Sequence, residues 1–172
     1  MLPIRIEKTA HPKPLPSDEA RLGFGEIFTD HMALADWTRE DGWHNARVIP
    51  FGPLPLHPAS TCLHYAAEIF EGLKAYRRAD GGINLFRPLE NARRMMVSAE
   101  RLCLPALPEQ EFLQLVVGLI RLDADWVPHA PGTSLYIRPF ILGTDEALGV
   151  HAPDKALFSV VCSPVGSYYR EG

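Results

Sequence analysis

The stretch Leu63-His64-Tyr65-Ala66-Ala67-Glu68-Ile69-Phe70-Glu71-Gly72-Leu73-Lys74-Ala75-Tyr76 decides how this chain folds. Its first half predicts a short helix over residues 61–70. Ser60 is the expected N-cap, because a serine oxygen can accept a free amide hydrogen of the first turn. Gly72 is the expected helix stop, and a strand follows over residues 73–78. We therefore expect a helix, a glycine stop and a strand in immediate succession.

The rest of the chain predicts further strands joined by turns and two longer helices. Ala79-Asp80-Gly81-Gly82 is typical of a hairpin turn between two strands. Helices are predicted over residues 88–102 and 109–126, where apolar side chains recur at helical spacing. The remaining strands are predicted at residues 32–37, 46–51, 83–86, 134–143 and 156–162. This order indicates an α+β fold with a mostly antiparallel sheet and helices packed on it.

The domain organisation follows from length and from the distribution of prolines. A chain of 172 residues is long enough for one domain with a real core. Residues 1–20 are rich in proline and predict an extended N-terminal arm. Residues 21–165 form the predicted domain, and residues 166–172 are predicted to begin a linker to a further domain that this chain lacks.

Composition excludes several classes of function. The formal net charge of −4 provides no cationic field for nucleic acid, and no apolar run approaches the roughly 20 residues that span a bilayer. The three cysteines are widely separated, which is typical of a reducing compartment. The seven histidines show neither helical pairs nor clusters with carboxylates, so we predict no metal site. We expect neither a nucleic-acid nor a membrane partner.

Arg94 is the first residue whose chemistry suggests a ligand. It lies in Phe86-Arg87-Pro88-Leu89-Glu90-Asn91-Ala92-Arg93-Arg94, at the start of the first long helix. A guanidinium offers parallel donors that match the oxygens of a phosphate group. The spacing alone favours the alternative that Arg93 and Arg94 are both solvated surface charges.

Tyr136 and Arg138 are the second candidate pair. They lie two residues apart in a predicted strand, so their side chains emerge on the same face. A hydroxyl and a guanidinium together could bind a carboxylate, and Phe140 continues that face as an apolar wall. The alternative is a cross-strand pair on a solvated sheet face. Pro139 cannot donate to the ladder, which predicts an irregular or unpaired neighbouring strand.

Two further groups of apolar residues leave their roles open. Tyr65 and Phe70 are most simply interpreted as core aromatics of the short helix. Leu148 and Val150 flank a glycine in a predicted loop, which suggests a lid or a subunit contact.

The order of several motifs resembles that of branched-chain amino acid aminotransferases, which are fold-type IV enzymes that use pyridoxal 5′-phosphate (PLP). The resemblance runs from about Phe24 to the C-terminus. It includes Phe28-Thr29-Asp30-His31-Met32, Leu56-His57-Pro58, Phe70-Glu71-Gly72-Leu73-Lys74-Ala75, Tyr136-Ile137-Arg138-Pro139 and Leu148-Gly149-Val150. It implies the small N-terminal domain of that fold, a larger C-terminal domain elsewhere and a homodimer.

The resemblance also assigns roles to the candidate residues. Arg94 is implied to bind the PLP phosphate, while Phe70 and Tyr136 line the pocket for a branched side chain. Arg138 is implied to take the side-chain carboxylate of glutamate. The exposed group that would complete the partner subunit's pocket comprises Tyr65, Leu148 and Val150.

The implied reaction transfers an amino group from leucine, isoleucine or valine to 2-oxoglutarate, in the cytoplasm. The catalytic lysine that forms a Schiff base with PLP is not found here: the lysines are Lys8, Lys13, Lys74 and Lys155, and none has the family's catalytic context. We therefore expect this chain to be the N-terminal half of the enzyme, with the lysine outside it. The alternatives are D-amino acid aminotransferase, aminodeoxychorismate lyase and a non-catalytic half-domain.

Overall fold

A computed structural model describes residues 1–166 of the chain. Three α-helices, two short 3₁₀-helices and eight strands are found in that part. The helices are α1 (Thr61–Tyr65), α2 (Pro88–Arg101) and α3 (Glu109–Leu122), and the 3₁₀ turns are Glu19–Arg21 and Ala124–Trp126. The strands are β1 (Arg5–Ile6), β2 (His31–Thr38), β3 (Gly42–Pro50), β4 (Glu68–Phe70), β5 (Leu73–Arg77), β6 (Ile83–Leu85), β7 (Ser134–Gly143) and β8 (Lys155–Val165).

The strands form one sheet in the order β1-β3-β2-β8-β7-β5-β6, and β4 also pairs with β7. The antiparallel pair β7 and β8 is its centre, with partners running from Ser134 opposite Val165 to Gly143 opposite Ala156. Within residues 1–166, every strand pairing is antiparallel except that of β1 with β3. The predicted α+β class, with a mostly antiparallel sheet, is confirmed.

Helix α3 covers the sheet and forms the core with it. Its apolar stripe contacts β2, β3 and β8, and the Phe112 ring lies 6.0 Å from that of Phe158. Helix α2 packs beside α3, and its Met95 and Ala99 are buried in the core. Along β7, Leu135, Ile137 and Ile141 point into this core, as the period of two requires. The half-buried side chains of β7 therefore point to the opposite face of the sheet.

The deciding stretch folds differently from its prediction. Helix α1 ends at Tyr65, because Ala66 adopts a left-handed backbone with φ of 50°. Residues 68–70 then form β4, opposite Phe140, Ile141 and Leu142 of β7. The predicted helix over residues 61–70 is therefore wrong in its second half. A pairing partner some seventy residues away outweighed the local helical pattern, and Glu68-Ile69-Phe70 alternates in burial as a strand does.

Two further local predictions are wrong. The Ser60 side chain makes no capping hydrogen bond, and its hydroxyl is buried without a partner. Helix α3 ends at Leu122 rather than at residue 126, because the next residue, Asp123, turns inward to a buried histidine. Trp126 then lies in the 3₁₀ turn, where its indole N–H donates to Asp30 Oδ2 at 3.1 Å.

The N-terminal arm is attached to the sheet by a buried contact. Arg5 and Ile6 extend β3 as a short parallel strand. Further along, the Thr9 amide donates to His31 Nε2 at 2.8 Å, so that nitrogen carries no proton. His31 Nδ1 therefore holds the proton and donates to Asp123 Oδ1 at 2.6 Å. Asp123 Oδ2 also accepts the His31 backbone N–H at 3.1 Å.

The helices within residues 1–166 include none long and apolar enough to cross a membrane. The predicted linker over residues 166–172 lies, apart from Gly166, outside the described residues.

Candidate active site

The connection between β4 and β5 is where the predicted site residues meet. Phe70 ends β4, Leu73 begins β5, and Glu71-Gly72 spans the gap while both strands pair with β7. The Glu71 amide donates to the carbonyl of Pro139 at 2.8 Å. Pro139 has no amide hydrogen to offer this irregular neighbour, so the predicted irregularity beside it is present.

Glu71 holds Arg94 through a two-point ion pair. Arg94 Nε donates to Glu71 Oε1 at 2.6 Å, and Arg94 Nη2 donates to Glu71 Oε2 at 2.7 Å. The Glu71 side chain is 4% exposed and that of Arg94 is 67% exposed. Asn91, one helical turn before Arg94, donates to Glu71 Oε2 at 2.8 Å and to the Gly72 carbonyl at 3.2 Å. Arg94 is thus fixed at its root, while its outer edge faces solvent.

Gly72 lies against Tyr136. A Cβ built on Gly72 would lie 2.5 Å from the Tyr136 hydroxyl and 3.2 Å from the ring carbon that carries it. Gly72 does not have a left-handed backbone, so the predicted role of a helix stop is wrong. The glycine is required by close approach, since any side chain would displace the tyrosine.

Replacing Gly72 with alanine is expected to lower the free energy of unfolding by about 1–3 kcal/mol, because the added methyl overpacks a filled site. Urea unfolding of both forms measures this change. Gly52→Ala is the matched control, since its Cβ would meet no atom within 4 Å. Equal losses at the two glycines would contradict the close approach.

Phe70 lies under Arg138. The guanidinium carbon of Arg138 is 4.3 Å from the centre of the Phe70 ring, a favourable cation–π arrangement. Arg138 also donates to the Tyr136 hydroxyl, from Nη2 at 2.9 Å and from Nε at 3.2 Å. The prediction that Tyr136 and Arg138 share a face is confirmed. The interpretation of Phe70 and Tyr65 as core aromatics is wrong, because they are 64% and 44% exposed.

The three residues Phe70, Glu71 and Gly72 therefore each contact one predicted site residue. Phe70 contacts Arg138, Glu71 binds Arg94, and Gly72 touches Tyr136. One tripeptide joins the cationic residue on α2 to the polar pair on β7.

The ion pair shifts the titration of both partners. Burial raises the pKa of Glu71, but hydrogen bonds from Arg94 and Asn91 and the charge of Arg94 outweigh it, so the pKa falls below its ordinary value. The hydrogen bond and charge of Glu71 raise the pKa of Arg94. Arg94 is therefore fully cationic, and Glu71 remains ionised in mildly acidic solution.

This shift predicts a pH-dependent contribution to stability. A carboxyl with a lowered folded pKa stabilises the protein above its unfolded pKa, about 4.3 for glutamate. The contribution disappears as pH falls through the lower folded value. We expect the difference in unfolding free energy between wild type and Glu71→Gln to shrink between pH 6 and pH 3. Denaturant unfolding across that range measures it, and a constant difference would contradict the ion pair.

An open cleft of about 740 Å³ lies beside Arg94, between the β5–β6 hairpin and α2. Its charged lining comprises Lys74, Arg87, Arg93, Arg94 and a single acid, Glu90. Glu90 is matched by Arg93 at 2.8 Å and by Arg87 at 3.7 Å. The remaining positive charge makes this cleft suited to an anion such as a phosphate monoester.

Tyr65, Leu148 and Val150 form a separate exposed group. The Tyr65 hydroxyl donates to the Leu148 carbonyl, and the Leu148 and Val150 side chains are 63% and 81% exposed. Among residues 1–166, no described hydrogen bond, ion pair or ring contact connects these three to Arg94, Tyr136 or Arg138. The structure thus brings Tyr65 and Leu148 together and leaves them apart from the central site.

Two residues of the site were missed from sequence. Phe24 packs its ring 4.9 Å from the Tyr136 ring, on the half-buried face of β7. Glu71 is almost fully buried between the two groups of site residues. The sequence did carry a signal for Glu71, which lies between apolar residues and a glycine. An acid that is buried in such a segment needs a cation as its partner.

The histidines also correct the prediction made from spacing. His31 pairs with Asp123, and His151 Nε2 lies 3.6 Å from Asp145 Oδ1. One possible ligand atom from each of Asp145, His151 and Asp154 lies within 4.8 Å of the others. Arg39 already pairs with Asp154, so this group is an ion-pair cluster, in which Asp145 is buried and the other two residues are exposed. Histidines do cluster with carboxylates here, through contacts that the spacing did not indicate.

Curated proteins that are similar in sequence to this chain include several branched-chain-amino-acid aminotransferases. "Branched-chain-amino-acid aminotransferase 2" of Bacillus subtilis is 47% identical over 169 residues, covering 98% of this chain and 46% of that protein. The cytosolic branched-chain-amino-acid aminotransferase of Saccharomyces cerevisiae is 48% identical over 170 residues, covering 98% and 45%. The chain thus spans about half the length of these curated relatives. Other relatives carry the designation mitochondrial.

Solved structures that share the fold of this chain include branched-chain amino acid aminotransferases as well. The branched-chain amino acid aminotransferase of T.th., solved with pyridoxamine 5′-phosphate, matches at 27% identity with a TM-score of 0.60. The match covers 81% of this chain and 42% of that one. No model of a protein family matches the chain. The sequence identity over nearly all of these residues, together with the shared fold, places the chain in the family of branched-chain aminotransferases of fold-type IV.

Proposed function

We propose that this chain forms part of a PLP-dependent aminotransferase that moves the amino group between branched-chain L-amino acids and 2-oxoglutarate. The observation that carries the proposal is the tripeptide Phe70-Glu71-Gly72, which joins Arg94 beside the cationic cleft to the polar and apolar face of Tyr136 and Arg138. Bound at this site, PLP supplies the electron sink for amino transfer. We further propose a cytoplasmic location.

The residues fit the cofactor. The outer edge of the Arg94 guanidinium is free of Glu71 and borders the cationic cleft, which supports Arg94 as the holder of the phosphate. No lysine of this chain has the family's catalytic context. In this proposal the lysine therefore comes from polypeptide outside these residues, since the relatives are about twice as long.

The face around Tyr136 supports a pocket that accepts two kinds of substrate. Phe70, Phe140 and the Tyr136 ring give an apolar wall for a branched side chain. Arg138 stacks on Phe70 when no carboxylate is present, so its charge is stabilised without an acid. When 2-oxoglutarate binds, Arg138 pairs with its distal carboxylate, which would be costly to bury unpaired.

The exposed group of Tyr65, Leu148 and Val150 is proposed to contact a second copy of the chain. Three apolar side chains on one exposed end are costly in water and suited to burial in a homodimer. There they would complete the apolar wall of the partner's pocket.

Replacing Arg138 with methionine tests the proposed function. Loss of a charge-assisted, forked contact is expected to raise KM for 2-oxoglutarate by about 10- to 100-fold. KM for leucine should change by no more than about threefold, because methionine keeps the apolar stem of the side chain. Steady-state kinetics of amino transfer, in the presence of PLP, measures both values.

The same assay with D-alanine as donor separates the rival functions. Faster transfer from leucine than from D-alanine supports the proposal. Faster transfer from D-alanine favours a D-amino acid aminotransferase. The absence of transfer from either donor by the full-length protein favours aminodeoxychorismate lyase or a non-catalytic domain.

A further inference from the structure

Glu71 has no evident reason to be present if charge alone governs the cleft. The cleft is suited to a phosphate because of its cations, and a buried carboxylate beside them opposes an anion. Burying a carboxylate is costly even when it is paired. A different benefit must therefore offset this cost.

The geometry of the guanidinium supplies that benefit. A guanidinium is planar and presents two forked edges, one formed by Nε and Nη2 and one by Nη1 and Nη2. Glu71 occupies the first edge with bonds of 2.6 and 2.7 Å. Because the group is rigid, this fixes the plane of Arg94, and its second edge must point away from Glu71. That edge offers two parallel donors toward solvent.

The support for Glu71 is itself rigid. Its carboxylate accepts from Asn91 Nδ2 at 2.8 Å and from the Gly72 amide at 3.3 Å. Its backbone amide is bound to the Pro139 carbonyl at 2.8 Å. Glu71 is thus held by α2 and by the centre of the sheet. Its ion pair in turn fixes the Arg94 guanidinium, although most of the Arg94 side chain is exposed.

We propose that Glu71 is a positioning residue for the phosphate clamp: its buried carboxylate holds Arg94 with the Nη1–Nη2 edge open to the cleft, ready to bind a phosphate. This inference rests on the proposed function. A free arginine loses side-chain entropy when it binds an anion, and here that loss occurs during folding. The local negative charge weakens the attraction, and the fixed geometry more than compensates.

Charge and positioning predict opposite signs, so a paired comparison separates them. Glu71→Gln removes the acid that positions Arg94. Glu90→Gln is the matched control, because Glu90 borders the cleft, lies on the helix that carries Arg94 and pairs with Arg93 instead. The probe is pyridoxamine 5′-phosphate, which lacks the aldehyde that would react with lysines. Equilibrium dialysis against the full-length protein gives each Kd.

We expect Glu71→Gln to weaken binding of pyridoxamine 5′-phosphate on the order of tenfold. We expect Glu90→Gln to leave it unchanged or to tighten it up to about twofold, as the loss of an exposed acid predicts. Unchanged or tighter binding by Glu71→Gln overturns the proposal. Equal weakening by both variants also overturns it.

A second probe distinguishes positioning of Arg94 from a purely structural role of Glu71. Pyridoxamine without phosphate should bind wild type and Glu71→Gln with the same Kd, because only the phosphate contacts Arg94. Equal weakening for both probes overturns the positioning role. If Glu71→Gln does not fold, Glu71→Asp serves instead: it keeps the charge, but its shorter side chain cannot reach both nitrogens, and about fivefold weaker phosphate-dependent binding is expected. Wild-type affinity in Glu71→Asp overturns the proposal.

Failure of this inference is distinguishable from failure of the proposed function. If Arg94→Gln weakens binding while Glu71→Gln does not, Arg94 binds the phosphate without help from Glu71. If Arg94→Gln leaves binding unchanged, the phosphate is not held by Arg94 and the proposed cofactor site itself is wrong.

Discussion

Replacing Arg94 with glutamine is expected to weaken binding of PLP by about 10- to 100-fold, the value of a forked, charge-assisted contact between arginine and phosphate. Glutamine keeps much of the length of the side chain and removes both the charge and the fork. The loss of the Arg94 guanidinium also leaves Glu71 buried without its cation, so the variant loses stability as well. Equilibrium dialysis, performed below the unfolding temperature of the variant, measures the affinity.

Arg93→Gln is the matched control for this change. Arg93 is the preceding residue of α2, carries the same charge and borders the same cleft, but it pairs with Glu90 and Glu109 on the surface. General attraction between charges predicts a similar, small loss for both variants. A specific clamp at Arg94 predicts a loss for Arg94→Gln at least about five times that for Arg93→Gln, on the scale of a single strong contact. Equal losses would contradict the clamp.

Replacing Asp123 with alanine is expected to lower the free energy of unfolding by about 2–4 kcal/mol, because two donors of a buried histidine lose their acceptor. His31 and Asp123 are 5% and 3% exposed, so water cannot replace the lost bonds. The change also frees the imidazole that accepts the Thr9 amide and thereby attaches the N-terminal arm. Urea unfolding measures the loss.

Asp125→Ala is the control for the Asp123 variant. Asp125 lies two residues further along in the same turn and is exposed. A change within about 0.5 kcal/mol is expected there, as for most surface substitutions. Comparable losses at the two aspartates would show that the turn, and not the buried pair with His31, determines stability.

The parts of the site that depend on local periodicity could be predicted from sequence. Tyr136 and Arg138 share a face because side chains of a strand alternate with a period of two, whatever the strand pairs with. The β5–β6 hairpin follows from its turn residues for the same reason: the signal lies within a few positions. Helix α2 begins at Pro88 as expected, because a proline without an amide hydrogen suits a first turn.

The parts of the fold and of the site that depend on distant partners could not be predicted from the sequence. Residues 66–70 have a sequence compatible with a helix, and only pairing with β7 makes Glu68–Phe70 a strand. Helix α3 stops early because Asp123 binds His31, which is 92 positions away. Glu71 and Arg94 are 23 positions apart on a loop and a helix. In each case tertiary contacts outweigh the local preference for helix or strand. The spacing of residues along the chain does not indicate these contacts.

The role of Gly72 shows a subtler limit. The sequence correctly marks the glycine as structurally required, but a helix stop and a close approach both select for a missing side chain. Only the position of Tyr136, far along the chain on β7, decides between them. The deciding stretch therefore predicts where the site lies better than it predicts how the backbone forms it.

A crystal structure of the full-length protein with pyridoxamine 5′-phosphate tests the central claim most directly. We predict phosphate oxygens within about 3 Å of Arg94 Nη1 and Nη2, with the Glu71 ion pair intact and the pyridine ring toward Tyr136. Phosphate bound elsewhere in the cleft, with Arg94 still paired only to Glu71, would contradict it.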